Sequence, residues 1–308
     1  MSEDASFRCY YRLDSGNATR IIMDAPPEHE DCEAFIKIAD YLAQMDLNSP
    51  SVLATDLDQG FILLTDLGSK LYLTELRNDR SCVSKLYEDA ISALVRMQKL
   101  GTDFQLKLPP YDESLLSFEL SLFRDWFCKK HLAIKFTDSD EAQWQECCRL
   151  LIDNAMQQPK VFVHRDYHSR NLMMTDQNNP GILDFQDAVE GPLTYDLVSL
   201  LKDCYIRWPA NQVRTWALQF YNQLGDELID QLDADQFIRY FDLMGVQRHL
   251  KATGIFARLK YRDGKSGYMS DVPRTLEYIE TLEPKYNELS YLMDLIIRRC
   301  LPILREKY

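Results

Sequence analysis

The chain has 308 residues, with 48 acidic against 35 basic side chains and a formal charge of −13. Hydrophobic residues at 46% and charged residues at 27% are ordinary for a globular protein and exclude a disordered or collagen-like chain. The acidity argues against nucleic acid as the main partner, which needs a basic stripe, but leaves room for phosphorylated ligands held by a metal ion or a few local cations.

The opening Met-Ser-Glu-Asp-Ala-Ser has neither the basic nor the apolar region of a secretory signal. No apolar run approaches the ~18 residues needed to span a bilayer. Eight cysteines (Cys9, Cys32, Cys82, Cys128, Cys147, Cys148, Cys204 and Cys300) are scattered without a C-x-x-C pair. Free, mostly buried thiols are therefore expected, rather than a disulfide framework or a zinc site. These features describe a cytoplasmic protein with no membrane segment, and no obligate protein partner is inferred.

In chain order, residues 7–13 and 19–23 are β-rich runs joined by a hairpin-type turn at 14–17. After Pro26-Pro27 the period changes: Phe35, Ile38, Ala39 and Leu42 share one helical stripe over 32–45. Strand-like runs follow at 52–54 and 61–65, and the Gly-containing segment 66–69 ends the strand-rich part. From Leu71 onward the periods are mostly helical. The helix over 83–100 carries an apolar stripe, with Gly101 placed as a C-cap. Further amphipathic stretches cover 114–127 and 141–156, and others include Leu197, Leu200, Leu201 and Cys204, or Phe237, Phe241 and Met244. The pattern predicts an α+β, two-lobed protein: a small β-rich N-lobe (1–67) and a larger helical C-lobe (68–308), an arrangement whose cleft favours ligands.

A polar island at 160–183 interrupts the helices. It contains His164-Arg165-Asp166 and, five residues after the aspartate, Asn171. This is the H-R-D-x-x-x-x-N spacing, in which an Asp orients or deprotonates an acceptor hydroxyl and an Asn holds a metal ion. A hairpin-length gap then delivers Asp184-Phe185-Gln186-Asp187, placing a second carboxylate where kinases bind metal. Alone, Asp184 would read as a helix N-cap and the first motif as a solvated turn; together, at this spacing, they predict phosphoryl transfer. ATP phosphates beside two carboxylates repel, so charge balance calls for Mg²⁺.

These residues resemble the aminoglycoside phosphotransferase and choline kinase family, small-molecule kinases with a protein-kinase-like fold. The family pattern H-x-D-x-x-x-x-N, an apolar-Asp-Phe/Trp motif and a downstream Tyr-Asp is matched by His164/Asp166/Asn171, Asp184-Phe185 and Tyr195-Asp196. Segments 4–8, 23–27, 184–188 with Gly191-Pro192, 247–250 and 254–258 resemble the bacterial amino-sugar kinases of this group. That resemblance implies phosphorylation of the anomeric hydroxyl of N-acetylmuramate or N-acetylglucosamine in peptidoglycan recycling, with ATP and Mg²⁺ as cofactors. It further implies Asp166 as catalytic base, Asn171 and Asp184 as metal ligands, and His164 and Asp196 as braces of the catalytic loop. Ser6, Phe7 and Arg8 would occupy the phosphate-covering loop, and the adenine would sit at the hinge formed by Leu64, Asp66 and Leu67. Arg170, Gln186, Asp187, Arg248 and His249 are the candidate substrate contacts.

The chain departs from the kinase pattern in two places. Ile21-Ile22-Met23-Asp24 stands where a strand lysine pairs the phosphates, leaving Glu33 without that partner and free to pair with Lys37 at i+4. Arg8 and Arg20 are the candidate replacements. The chain also starts almost at the phosphate loop, so the first strand of the small lobe is expected to be missing. Two alternatives stand beside the sugar kinase: an aminoglycoside or other small-alcohol phosphotransferase of the same fold, and a nucleotide-binding pseudokinase or scaffold. A protein kinase is disfavoured, because Asp-Phe-Gln replaces Asp-Phe-Gly and no Ala-Pro-Glu follows.

Overall fold

The computed structural model describes residues 7–14, 16, 18–229, 232–282 and 285–307. It is an α+β fold that divides into two compact units. The first comprises 1–109, 161–190 and 222–225; the second comprises 110–160, 191–221 and 226–308. The strand-rich part ends close to residue 67, as the change of period implies. The compact unit that contains it runs on to Pro109 and takes in the later segment 161–190.

The first unit is built on a four-stranded antiparallel sheet in the order β1-β2-β4-β3, from β1 (Cys9–Asp14), β2 (Thr19–Asp24), β3 (Val52–Asp56) and β4 (Phe61–Thr65). The register opposes Ile21 to Leu64 and Met23 to Ile62. Because side chains alternate along a strand, these four share one face, where Met23, Ile62 and Leu64 are buried. Helix α1 (Cys32–Gln44) starts at Asp31, whose carboxylate accepts the Ala34 N–H. Its buried residues include the expected stripe of Phe35, Ile38, Ala39 and Leu42. Lys37 donates to the Lys107 carbonyl at 3.1 Å, so its ammonium is directed there rather than along its own helix to Glu33.

Helices α2 (Tyr72–Asn78) and α3 (Val83–Leu100) follow. Gly101 is the C-cap of α3, as expected, with a right-handed φ of −76°. Its smallness also serves packing: a Cβ there would lie 2.4 Å from the Met97 carbonyl oxygen and 2.7 Å from the Phe162 Cβ.

The second unit is helical. Its longest element, Ala234–Arg262, packs against helices Glu113–Leu122, Tyr195–Leu201, Asp138–Met156 and Val272–Glu280. The stretch expected to be helical over 114–127 changes at Phe123 into a π-helical turn, Phe123–His131. Thr137 and Asp140 form a reciprocal capping box at the start of helix Asp138–Met156. All eight cysteines are free thiols, and most are buried. Among the described residues, no helix is long and apolar enough to cross a membrane.

Gly254 lies where the long helix crosses the chain at Leu122 and Phe123. A Cβ there would sit 2.4 Å from the Leu122 carbonyl carbon and 2.5 Å from the Phe123 nitrogen. Alanine gains up to about 1 kcal/mol in helix propensity, but overpacking against backbone costs about 1–3 kcal/mol. Gly254→Ala is therefore expected to lower the unfolding free energy by about 1–2 kcal/mol. Urea denaturation measures this, and an unchanged or raised midpoint would contradict the close crossing.

Candidate active site

The polar island forms one connected structure in the first unit. Strand β5 (Lys160–Val163) runs into the loop 164–171, and β6 (Leu172–Met173) pairs with β7 (Gly181–Ile182) as the expected hairpin. The hairpin returns the chain so that the Leu183 N–H donates to the Asn171 carbonyl at 2.9 Å. Asn171 then joins the two carboxylate segments: its amide Nδ2 donates to the Asp166 carbonyl and to Asp184 Oδ2, each at 3.1 Å. Gln186 Nε2 holds the other Asp184 oxygen at 2.9 Å.

Two residues carry backbone strain here. Arg165 has a φ of 77° and Asp184 a φ of 61°, the left-handed region that side chains other than glycine seldom adopt. Each costs on the order of 1–3 kcal/mol, and such residues persist when surrounding contacts over-determine them. The Asn171 and Gln186 bonds do this for Asp184. Phe185 adds to it, being fully buried with its ring 4.8 Å from Phe35 of α1.

Asp166 remains accessible, with its side chain 44% exposed and one oxygen 4.0 Å from His168 Nε2. His164 is fully buried, and its Nδ1 accepts the Asp166 backbone N–H at 3.2 Å. That bond requires an unprotonated Nδ1. Burial pushes the imidazole down to about 4, against the opposing pull of the Asp166 carboxylate. His164 therefore braces the loop as a neutral ring.

A cavity of about 310 Å³ opens beside these groups, lined by Ile21, Leu64, Asp66, Leu67, Asn171 and Asp184 among others. Gly181 permits the close approach of its wall, since a Cβ there would lie 2.8 Å from Leu67 Cδ1. The expected hinge residues Leu64, Asp66 and Leu67 and the expected metal ligands Asn171 and Asp184 thus border one space. Asp66 is clasped by Arg12, whose Nε lies 2.7 Å from its carboxylate and whose Nη2 donates to the Gly68 carbonyl. Although desolvation works to raise it, bonds from Arg12, the Gly68 N–H and Thr19 hold the Asp66 carboxyl below the usual range.

Other expected residues lie elsewhere. Ser6 is outside the described residues. Phe7 stacks on His29, and its N–H donates to Glu30 Oε1; Arg8 pairs with Glu30 at 2.8 Å; neither lines the cavity. Arg20 donates to the Thr19 carbonyl. Among the described residues, the cations that do line the cavity are Arg170 and Arg12. Arg12 belongs to no motif in the sequence; its signal is the two-residue period that places it on one face of β1 with Tyr10, also a lining residue. Met23, where a lysine is expected, is fully buried in the sheet.

Of the substrate candidates, Arg170 lines the cavity, Gln186 is bonded to Asp184, and Asp187 is exposed. Arg248, His249 and Asp196 belong to the second unit and are buried. A His249 ring nitrogen lies 2.8 Å from the Lys202 carbonyl, the ring stacks on Tyr278 at 4.8 Å, and burial pushes it down to about 3. Arg248 Nη1 is directed at Cys204 Sγ.

The model of the phosphotransferase enzyme family matches residues 1–234. The chain belongs to this family. Curated relatives share its sequence over most of its length. An N-acetylmuramate/N-acetylglucosamine kinase of Pseudomonas aeruginosa is 45% identical over 298 residues, covering 96% of this chain and 86% of the relative. A protein of the same name from Neisseria meningitidis is 39% identical, covering 96% and 88%. Among solved structures, a choline kinase from Streptococcus pneumoniae matches with a TM-score of 0.59 at 13% identity, over 88% of this chain and 89% of that one. A spectinomycin phosphotransferase matches with a TM-score of 0.59 at 14% identity, over 94% and 89%. These structures share the fold.

As a phosphotransferase family member, the chain moves a phosphoryl group to an acceptor, and the donor set fits a hard divalent cation. Mg²⁺ takes oxygen ligands and usually keeps waters and phosphate oxygens alongside one or two protein carboxylates. Asp184 and the Asn171 amide oxygen would supply such a partial set. Among the described residues, no cluster of three or more His, Cys, Asp or Glu side chains forms a closed metal cage.

The His164 assignment has a pH signature. An unfolded imidazole takes its proton near the ordinary 6.5, whereas the folded ring resists until about 4. The unfolded chain therefore binds more protons between these values, and this group's contribution to stability is lost as pH falls through that window. NMR titration of the His164 ring is expected to show a midpoint near 4; a midpoint near 6.5 would contradict its role as a neutral acceptor.

Proposed function

We propose that the protein transfers the γ-phosphate of ATP, with Mg²⁺, to the anomeric hydroxyl of N-acetylmuramate or N-acetylglucosamine, in the cytoplasmic recycling of peptidoglycan. The observation that carries the reaction class is the Asn171 amide bonded to both the Asp166 loop and the Asp184 carboxylate, beside a cavity sized for a nucleotide portion. The names of the 39–46% identical relatives support the choice of sugar.

In this reading, Asp166 accepts the O1 proton as that oxygen attacks the γ-phosphorus in line, and the bond to the β-phosphate oxygen breaks to release ADP. The transition state is loose in most analyses, so placing and charge stabilisation outweigh deprotonation. Asn171 and Asp184 would hold Mg²⁺, which would supply neutralisation of the phosphate charge, and Gln186 fixes the orientation of Asp184. The adenine lies against Ile21 and Leu64 with the backbone near Asp66 and Leu67 as hydrogen-bonding edge. Arg170, which lines the cavity, offers the positive charge that no strand lysine supplies.

Coupled ADP release tests this with Mg-ATP and, in turn, N-acetylmuramate, N-acetylglucosamine, kanamycin, choline or no acceptor. Turnover is expected with the amino sugars and not with kanamycin or choline, and chelating Mg²⁺ is expected to stop it. Turnover confined to kanamycin or choline would overturn the substrate. Asp166→Asn should lower kcat by at least about a hundredfold with the thermal unfolding transition retained. Full turnover in that variant would overturn the role of Asp166.

A further inference from the structure

The second unit holds its own cavity of about 200 Å³, with four cationic side chains in its lining: Lys202, Arg207, Arg214 and Lys285. Among the described residues, one carboxylate, Asp242, lines it with them. In a chain with a formal charge of −13, this grouping runs against the average surface.

The local charges do not cancel. Asp242 already accepts from Lys202 Nζ at 2.9 Å, Lys285 Nζ at 2.6 Å and the Tyr286 hydroxyl at 2.9 Å. Two ammonium groups share this carboxylate; with Glu277 beside Arg207 and the buried Asp203 beside Tyr278 set against the four cations, the described charges still leave a surplus of positive charge at Arg214. Although burial works to raise it, Lys202 and Lys285 hold the Asp242 carboxyl below its ordinary value, so it stays ionised. Arg207 is matched by Glu277. Arg214, exposed on helix Ala210–Gln223, has no carboxylate partner among the described residues. His249, packed behind Tyr278, is held neutral by burial and neither adds to nor subtracts from this surplus.

The walls are also shaped for more than a simple ion. Tyr278 and Trp208 line the cavity with Phe241. Tyr278 is clamped between the parallel His249 ring at 4.8 Å and the Arg207 guanidinium at 5.3 Å, which fixes its orientation. Lys202 lies 4.3 Å from the Phe241 ring centroid, and Gly245 leaves room for its Nζ, since a Cβ there would approach to 3.1 Å. Small-ligand pockets combine apolar faces with a few fixed polar groups in this way.

The geometry points to a binding site for an anionic sugar, its carboxylate or phosphate held by Arg214 and Lys285 and its apolar ring face set against Trp208. The choice of a sugar rests on the proposed function; the requirement for an anion rests on the charges alone. The anionic group has two sources, a lactyl carboxylate as in N-acetylmuramate or the phosphate of a sugar 1-phosphate.

Isothermal titration of the full chain without nucleotide tests this with N-acetylmuramate, N-acetylglucosamine 1-phosphate and neutral N-acetylglucosamine. At least one anionic sugar is expected to bind, and the tighter of the two identifies the source. Arg214→Glu, on an exposed helix face, is expected to weaken that binding by about tenfold or more, as for loss of a charge-assisted contact. Lys285→Ala is expected to act in the same direction. The neutral sugar's affinity should change less than about twofold in either variant. Absence of anionic-sugar binding, unaltered affinity in both variants, or equal losses for the neutral sugar would each overturn the site. ADP release with N-acetylglucosamine is scored separately, so failure of the kinase reaction is distinguished from failure of this site.

Discussion

One side-chain amide holds the chemistry together. Asn171 bridges the Asp166 backbone and the Asp184 carboxylate, and both segments contain a residue with left-handed backbone. Without that bridge, Asp184 would lose one of the bonds that hold it in a conformation costing on the order of 1–3 kcal/mol. The β6–β7 hairpin makes the bridge possible by bringing residues 171 and 184 side by side. Phe185 extends the constraint outward through its ring contact with Phe35, which packs the second carboxylate's segment against helix α1.

Charge is handled locally rather than by the net balance. An acidic chain accommodates a phosphorylated ligand only where cations gather, and Arg12 and Arg170 do so around the first cavity. Arg12 also spends its guanidinium on Asp66 and Gly68, tying an otherwise exposed edge strand to the segment that follows β4. In the second unit, buried charges are paired. Glu119 accepts from Lys251 at 2.8 Å and Gln247 at 3.1 Å and shares a bond with the Tyr111 hydroxyl, while Lys251 also reaches the Tyr195 hydroxyl at 2.8 Å. Such a network specifies one arrangement of helices Glu113–Leu122, Tyr195–Leu201 and Ala234–Arg262, because removing one partner leaves a buried charge uncompensated. It gives Gln247, singled out in the sequence, a structural setting.

Much of the first unit was legible because local rules act there without competition. The four strands, helix α1 and the hairpin follow from period, turn residues and the break at Pro26-Pro27. The spacing of Asp166, Asn171 and Asp184 is itself a chain-length constraint, so the meeting of their segments is legible in the sequence. The rest depends on packing between distant segments, which no local period reports. Gly101 is legible as the C-cap of α3, but its close approach to Phe162 is not. The π-helical turn at Phe123–His131 carries an ordinary amphipathic pattern. Arg12 lies on a short strand with exposed residues at every position, so its contact with Asp66, 54 residues away, left no trace in hydrophobic patterning. The division of the chain into units also escaped, because segment 161–190 joins the first unit across a long helical insertion.

The central claim is a phosphoryl transfer to a sugar's anomeric oxygen at the Asp166–Asn171–Asp184 group. Phosphorus and proton NMR of the product formed from Mg-ATP and N-acetylmuramate tests it most directly. The account predicts a sugar 1-phosphate, recognised by coupling of phosphorus to the anomeric proton. Phosphate on another hydroxyl of the same sugar, or no sugar phosphate at all, would contradict it.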